Sequence, residues 1–172
     1  VLSYFGFYSR SFLDNYGKNG ALFAGHPEFE KAPGIEISSG SLGHGPSIGA
    51  GIAYACKLNN QNSRIFVIVG DGETNEGSVW EGAMMAAAQS LNNLTVIIDY
   101  NTWQAPGRSD EDLHLAPLAK KWRDFGWDAH EANGHDIDEI SALLSSSSYR
   151  PRAIIAHTVK GKCVSFMEDD NN

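Results

Sequence analysis

Two short apolar runs, residues 65–69 and 94–99, are rich in β-branched side chains and stop abruptly, the first at Gly70-Asp71-Gly72 and the second at Asp99-Tyr100-Asn101. Apolar segments of this length without a polar face read as strands of a parallel sheet covered on both sides. The pattern commits the chain to an α/β fold and brings the two strand ends to the same edge of the sheet. Open α/β sheets bind ligands beyond the carboxyl ends of their strands. An aspartate and an asparagine delivered there, Asp71 and Asn101, supply hard oxygen ligands of the kind that Mg²⁺ or Ca²⁺ takes. Such an ion commonly completes its shell with phosphate oxygens.

Composition narrows the setting. The 172 residues are 42% hydrophobic and 20% charged, enough for one core and hardly for two. A net charge of −8 without any Lys/Arg run argues against nucleic acid as a partner. No apolar stretch approaches bilayer-spanning length, and no signal peptide precedes Val1, so no membrane role is expected. Cys56 and Cys163 stand in helix-like and loop-like contexts, which fits a reducing, cytoplasmic setting rather than a disulfide framework. Val1 opens into helix-like sequence without an initiator methionine, and an upstream segment is expected.

Strand-like and helix-like segments alternate, with no linker or internal repeat. A helical hairpin is expected over residues 1–19 and a short strand over 35–38. The glycine loop 40–45 then meets Pro46 at the first position of a helix reaching about residue 58, where a missing N–H costs nothing. Strands follow at 65–69, 94–99, 127–131 and 153–157, with helices at 77–90, 115–125 and 137–145. The expected architecture is one α/β domain over residues 1–172, a mostly parallel sheet with helices on both faces.

Two of these helices lack bulk: Gly49, Gly51, Ala53 and Ala55 line one, and Gly82, Ala83, Ala86, Ala87 and Ala88 fill the other. An interior glycine costs about 0.5–1 kcal/mol relative to alanine, so a close neighbour is implied, either within this chain or across a dimer interface. Gly40, Gly43 and Gly45, ahead of a helix start, suit an anion. The spacing is not G-x-G-x-x-G, and Gly161-Lys162 runs into Cys163 rather than Ser or Thr, so neither a Rossmann nor a P-loop site is expected. The segment from Asp71 to Asn75 begins like a calcium loop, but Glu76 takes the glycine position and Gly82 that of the bidentate glutamate. Gly45-Pro46-Ser47-Ile48-Gly49 satisfies the G-x-S-x-G of a hydrolase nucleophile elbow. That elbow needs a strand running straight into the serine, and here a glycine loop intervenes, so Ser47 reads as a first-turn helix residue.

Gly70-Asp71-Gly72, Glu76-Gly77, Glu81 and Asp99-Tyr100-Asn101 together resemble the thiamine-diphosphate motif. The finer resemblance is to transketolases. It is carried, in order, by Gly25-His26-Pro27-Glu28-Phe29, Gly34-Ile35-Glu36, Gly40-Ser41-Leu42-Gly43-His44-Gly45 and His157-Thr158-Val159-Lys160-Gly161-Lys162, over nearly the whole chain. It implies an N-terminally incomplete diphosphate-binding domain of the thiamine-diphosphate-binding fold, in a transferase that moves a two-carbon ketol unit from a ketose phosphate to an aldose.

The same resemblance implies roles. Asp71 and Asn101 would hold Mg²⁺ or Ca²⁺ through their side chains and Trp103 through its carbonyl. Gly70 and Gly72 belong to the cofactor set, Gly72 through its backbone N–H, while the Gly40-Ser41-Leu42 backbone would lie along the cofactor rings and Lys160 near them. His26 would face the substrate. Glu76 and Glu81 would lie towards a dimer interface, with Glu76 in the catalytic set. The glutamate that activates the aminopyrimidine belongs, in the family, to a pyrimidine-binding domain that this sequence lacks, so a partner subunit is expected, in a dimer or heterotetramer. Alternatives are a thiamine-diphosphate enzyme of decarboxylase or dehydrogenase type, a non-catalytic cofactor-binding relic, and a serine hydrolase using Ser47. Cys163 where glycine is common, Pro46 in place of an apolar residue, and Gln104-Ala105-Pro106-Gly107 depart from the family pattern, which is compatible with a specialised sugar such as a branched one. A capping role for Asp71 and Asn101 leaves unexplained why both follow buried strands. His44, His114, His130, His135 and His157 lack zinc-like spacing and are left unassigned.

Overall fold

The structure is a computed structural model that describes residues 1–105 and 107–170. It divides into two compact units, Val1–Ser41 and Leu42–Asn172. In the first unit the helical hairpin expected over residues 1–19 does not form. The segment is a run of turns with one 3₁₀ turn, Arg10–Leu13, in which the Ser9 hydroxyl accepts from Ser11 N–H. Gly6, Gly17 and Gly20 take left-handed φ values of 80°, 71° and 77°, which interrupts any helix. The strand expected over 35–38 is irregular too. Ile35 N–H bonds to the Ala32 carbonyl, the Ser38 hydroxyl accepts from Phe29 N–H, and Ser39 N–H bonds to the Pro27 carbonyl, so hydrogen bonds close locally instead of in a ladder.

The second unit carries α1 (His44–Leu58), β1 (Ile65–Gly70), a 3₁₀ turn (Gly72–Asn75), α2 (Gly77–Ala88), β2 (Leu94–Tyr100), the hairpin β3 (Trp103–Gln104) and β4 (Gly107–Arg108), α3 (Ser109–Asp112), α4 (Leu118–Asp124), β5 (Asp128–Asn133), α5 (Ile137–Ser145) and β6 (Arg152–His157). Four of the strands form a parallel sheet in the order β1-β2-β6-β5. Gly70 registers with Asp99 and Tyr100 with His157, so β1, β2 and β6 finish at one edge. The mostly parallel α/β architecture expected from the sequence is therefore present.

Several boundaries move for identifiable reasons. α1 begins at His44 behind Gly43, which is left-handed (φ 77°), so Pro46 occupies the third helical position and not the first. It still sits among the first four N–H groups, which have no helical partner to lose. α2 stops at Ala88, because Ser90 turns left-handed (φ 49°). α4 begins only after Pro117, and Trp127 leaves the strand for the core, so β5 starts at Asp128.

Val69, Val96, Ile98, Ala153 and Ile155 form the core with α1, α2 and α4. α5 packs beside β5 on the other face, where Arg152 donates to the Leu143 and Ser146 carbonyls, while Phe66 and Ile68 of β1 stay exposed. Trp122 packs against Trp127 (4.7 Å between ring centroids) and Trp80 (5.3 Å), and Trp80 stacks on Phe125 (5.2 Å).

Two of the small residues, Gly49 and Gly82, serve packing within this chain. A Cβ on Gly49 would lie 2.5 Å from Val67 Cγ2, and one on Gly82 would lie 2.7 Å from Ser47 Oγ and 3.0 Å from its backbone nitrogen. Gly51, in contrast, is exposed and has nothing within 4 Å of such a Cβ. The two glycines therefore respond oppositely to alanine. Gly51→Ala is expected to stabilise the fold by about 0.5–1 kcal/mol through helix propensity. Gly82→Ala is expected to destabilise it by about 1–2 kcal/mol, because overpacking against the Ser47 backbone outweighs the propensity gain. Urea denaturation midpoints of the two variants check the sign of each.

Candidate functional site

β1 runs directly into Asp71, whose N–H extends the ladder to the Asp99 carbonyl (3.1 Å). Its own carbonyl accepts both the N–H (3.0 Å) and the hydroxyl (2.6 Å) of Thr74, which folds the following residues into the 3₁₀ turn. The carboxylate is thereby held inside, with the residue only 1% exposed. Oδ2 accepts from the Ser109 hydroxyl at 2.7 Å, whereas Oδ1 is buried and has no hydrogen-bond partner among the described residues. Burial pushes the Asp71 carboxyl pKa up, and the Ser109 hydroxyl, then the nearby Gly72 and Thr102 amides, draw it part of the way back. A buried acceptor left without a partner costs about 1–3 kcal/mol, more when charged, and a cation would remove that penalty.

β2 ends beside it. Asn101 Oδ1 accepts from Trp103 N–H (2.9 Å) and Nδ2 donates to Asp99 Oδ2 (3.2 Å). That pairing defines which end of the carboxamide is oxygen and leaves the oxygen a second lone pair. Asp99 also takes the Thr158 hydroxyl on its other oxygen, tying the end of β2 to the end of β6. Thr102 is left-handed (φ 65°), which turns the chain sharply between Asn101 and Trp103. Among the described residues no group of three or more His, Cys, Asp or Glu side chains could hold a metal ion. The donors expected from the sequence, the Asp71 carboxylate, the Asn101 carboxamide and the Trp103 carbonyl, are oxygens of the kind that could hold Mg²⁺.

Glu73 braces the same end of the sheet. Its Oε2 accepts from Gly70 N–H and its Oε1 from Gly43 N–H, both at 3.0 Å, so one carboxylate joins the end of β1 to the start of α1. A Cβ on Gly72 would lie 2.8 Å from Gln104 Cβ, so the chain approaches the β3–β4 hairpin there as only glycine allows. Trp80 Nε1 donates to the Thr74 carbonyl at 2.8 Å and fastens the turn to the aromatic core.

The other residues expected in the site fall as follows. Lys160, Asp99, Asn101 and Thr158 line a cleft of about 440 Å³ together with Ile68 and Ile97. A larger cleft of about 670 Å³, with Arg123, His130 and Arg150, lies at the amino-terminal ends of β5 and β6, away from every candidate ligand. His26, Gly40 and Ser41 belong to the first unit, where a Cβ on Gly40 (φ 137°) would lie 2.5 Å from His26 Cδ2. Leu42 belongs to the second unit and is 60% exposed. Glu76 and Glu81 are exposed, Glu76 as the residue preceding α2 and Glu81 within it. Ser47 donates to the Ser78 carbonyl at 3.0 Å, a contact between α1 and α2 and not a strand-to-helix elbow. Of the departures from the family pattern, Pro106 lies outside the described residues.

Sequence reasoning missed Glu73, Asp99 and Ser109. Asp99 carried a signal, a carboxylate at the close of a buried strand. Glu73 and Ser109 are recognisable only once the fold brings them to Gly43 and Asp71.

No helix among the described residues is long and apolar enough to cross a membrane. The model of the family described as transketolase, thiamine diphosphate binding domain, matches residues 2–171. A protein of Phocaeicola vulgatus, named as one of the subunits of an apulose-4-phosphate transketolase, is 42% identical over 166 residues, 95% of this chain and 59% of that protein. A protein of Clostridium sp., named as one of the subunits of a 6-deoxy-6-sulfo-D-fructose transketolase, is 36% identical over 166 residues, 95% of this chain and 60% of that protein. The chain thus spans about three-fifths of the length of these relatives. The crystal structure of transketolase from Campylobacter jejuni superposes with a TM-score of 0.87 at 28% identity, covering 92% of this chain and 26% of that one. On this match over nearly its whole length, the chain belongs to the transketolase family through its thiamine diphosphate binding domain.

Proposed function

We propose that this chain is the diphosphate-binding part of a two-chain, thiamine-diphosphate- and Mg²⁺-dependent transketolase that moves a two-carbon ketol unit from a ketose phosphate to an aldose. The observation that carries the reading is the buried, unpartnered Oδ1 of Asp71 beside Asn101 at the carboxyl edge of the sheet. When bound, thiamine diphosphate supplies the electron sink for breaking a carbon–carbon bond next to a carbonyl. The chain's own work is positioning. Asp71, Asn101 and the Trp103 carbonyl would hold a Mg²⁺ able to offset diphosphate charge, Ser109 and Asp99 orient the two side-chain ligands, and Lys160 adds positive charge at the cleft. His26 binds hydroxyls of the transferred unit, and Glu76 lies at the contact with the partner subunit. Relatives named as subunits support a second chain that contributes the pyrimidine-binding half of the site. The apulose-4-phosphate in the name of the Phocaeicola vulgatus relative makes that sugar phosphate the first donor to test.

Calorimetric titration of thiamine diphosphate in the presence of the partner chain tests the reading. Binding is expected with Mg²⁺ and not with EDTA, followed by ketol transfer to an aldose phosphate acceptor. Metal-independent binding, or binding without transfer from any ketose phosphate, would overturn it in favour of a repurposed or inactive site.

A further inference from the structure

The segment after β6 is folded back on itself. Asp169 N–H donates to the Lys160 carbonyl (2.8 Å), Lys162 pairs with Glu168 (3.1 Å), and Cys163 N–H donates to the same carboxylate (3.2 Å). Gly161 lies so close to Met167 that a Cβ would sit 2.3 Å from its carbonyl oxygen. This closed loop, with Lys160 at its neck and 5.8 Å from the Trp103 ring centroid, is fastened to the loop of Asn101 and Trp103 by the Asp169 carboxylate. Asp169 takes both arms of the Arg108 guanidinium (2.9 and 2.8 Å) and the Trp103 indole N–H (2.9 Å). Arg108 in turn lies 3.8 Å over the Trp103 ring and donates to the Thr102 hydroxyl (2.9 Å).

Exposed ion pairs contribute little to stability, and Asp169 and Arg108 are 54% and 34% exposed. What a bidentate, ring-stacked pair contributes is a defined geometry. The geometry is maintained against backbone strain, since Thr102 (φ 65°) and Asp169 (φ 55°) are both left-handed without being glycine. The Thr102–Trp103 backbone also lies between the two proposed metal ligands of this loop, the Asn101 side chain and the Trp103 carbonyl.

Building on the function proposed above, we propose that Asp169 is a positioning residue: by gripping Arg108 and Trp103 it locks the loop bearing Lys160 onto the loop bearing Asn101 and the Trp103 carbonyl. Metal affinity and the placement of Lys160 therefore rise and fall together. Loss of an outer partner of a metal site typically weakens affinity by about 10–100-fold.

Two readouts on the full chain together with its partner subunit test this: Mn²⁺ affinity in the presence of thiamine diphosphate, from the electron paramagnetic resonance of free Mn²⁺, and hydrogen exchange of amides 159–170. Asp169→Asn and Arg108→Gln are each expected to weaken Mn²⁺ binding about tenfold, and the double variant no further, because both break one unit. In the wild type, Mn²⁺ with thiamine diphosphate slows exchange at 159–170, and in the variants that slowing is lost. Variants that bind Mn²⁺ within about twofold of wild type, or wild-type exchange at 159–170 that ignores the metal, overturn the proposal while leaving the cofactor reading standing. A wild-type chain that takes up no Mn²⁺ at all fails the cofactor reading itself, and the role of Asp169 with it.

Discussion

Asp71→Asn is expected to raise the melting temperature of the ligand-free chain while removing its response to Mg²⁺. The substitution keeps the side chain's shape and an oxygen for the Ser109 hydroxyl, but discharges a group that is buried with one oxygen unpartnered. Relief of about 1 kcal/mol of the desolvation penalty corresponds to roughly 2–4 °C in a domain of this size. The same change takes the only carboxylate from the donor set. Metal-dependent cofactor affinity should fall by more than the roughly 10–100-fold that loss of an outer partner produces.

The direction of the Asp71 shift adds a pH signature. Burial raises its folded pKa above the ordinary carboxylate value, so the folded chain holds this proton more tightly than the unfolded chain does. The resulting stabilisation is complete below the unfolded value and is lost as pH rises through the folded one. Metal affinity runs the other way, growing as pH climbs past the folded value and the carboxylate ionises. Asp71→Asn should abolish both slopes. Denaturation midpoints and Mg²⁺ titrations across that window check them, and an unchanged slope in the variant would locate the titrating group elsewhere.

The sheet was legible because its strands are short apolar runs, although Phe66 and Ile68 leave one face of β1 exposed, and the strand ends were legible because polar residues interrupt those runs there. Residues 65–69 and 94–99 needed only one residue added at each carboxyl end to match β1 and β2. The first 41 residues misled for a physical reason. Their aromatic content imitates an amphipathic helix, but Tyr4 (88% exposed) and Phe5 (71%) pack into no core of their own unit, and left-handed glycines break the run. The supporting shell was illegible for a different reason. Glu73 binds an amide 30 residues away, Ser109 a carboxylate 38 away, and Asp169 a guanidinium 61 away. Pairings of that range are consequences of the fold and leave no local periodicity to read.

Trp80 is where the core and the site meet, and its two functions should separate on substitution. Trp80→Ala removes a ring stacked on Phe125 and packed against Trp122, together with the N–H that holds the Thr74 carbonyl. A loss of about 3 kcal/mol is expected, near the lower end for removing a large aromatic from a core because Trp80 is only partly buried. Trp80→Phe keeps most of the packing and deletes only the donor, so it should destabilise by about 1 kcal/mol, the ordinary net worth of one hydrogen bond. Yet Thr74 is the residue that folds the turn back onto the Asp71 carbonyl, through its N–H and its hydroxyl. Freeing its carbonyl loosens the turn that aims the carboxylate. Trp80→Phe should therefore weaken Mg²⁺-dependent binding far more than its small stability change implies, by about tenfold, as for other outer partners of a metal site. Parallel chemical denaturation and calorimetry on the two variants provide the comparison. Affinity that simply tracks stability through both would mean that Trp80 is core alone and that the turn is fixed by Glu73 and Thr74 without it.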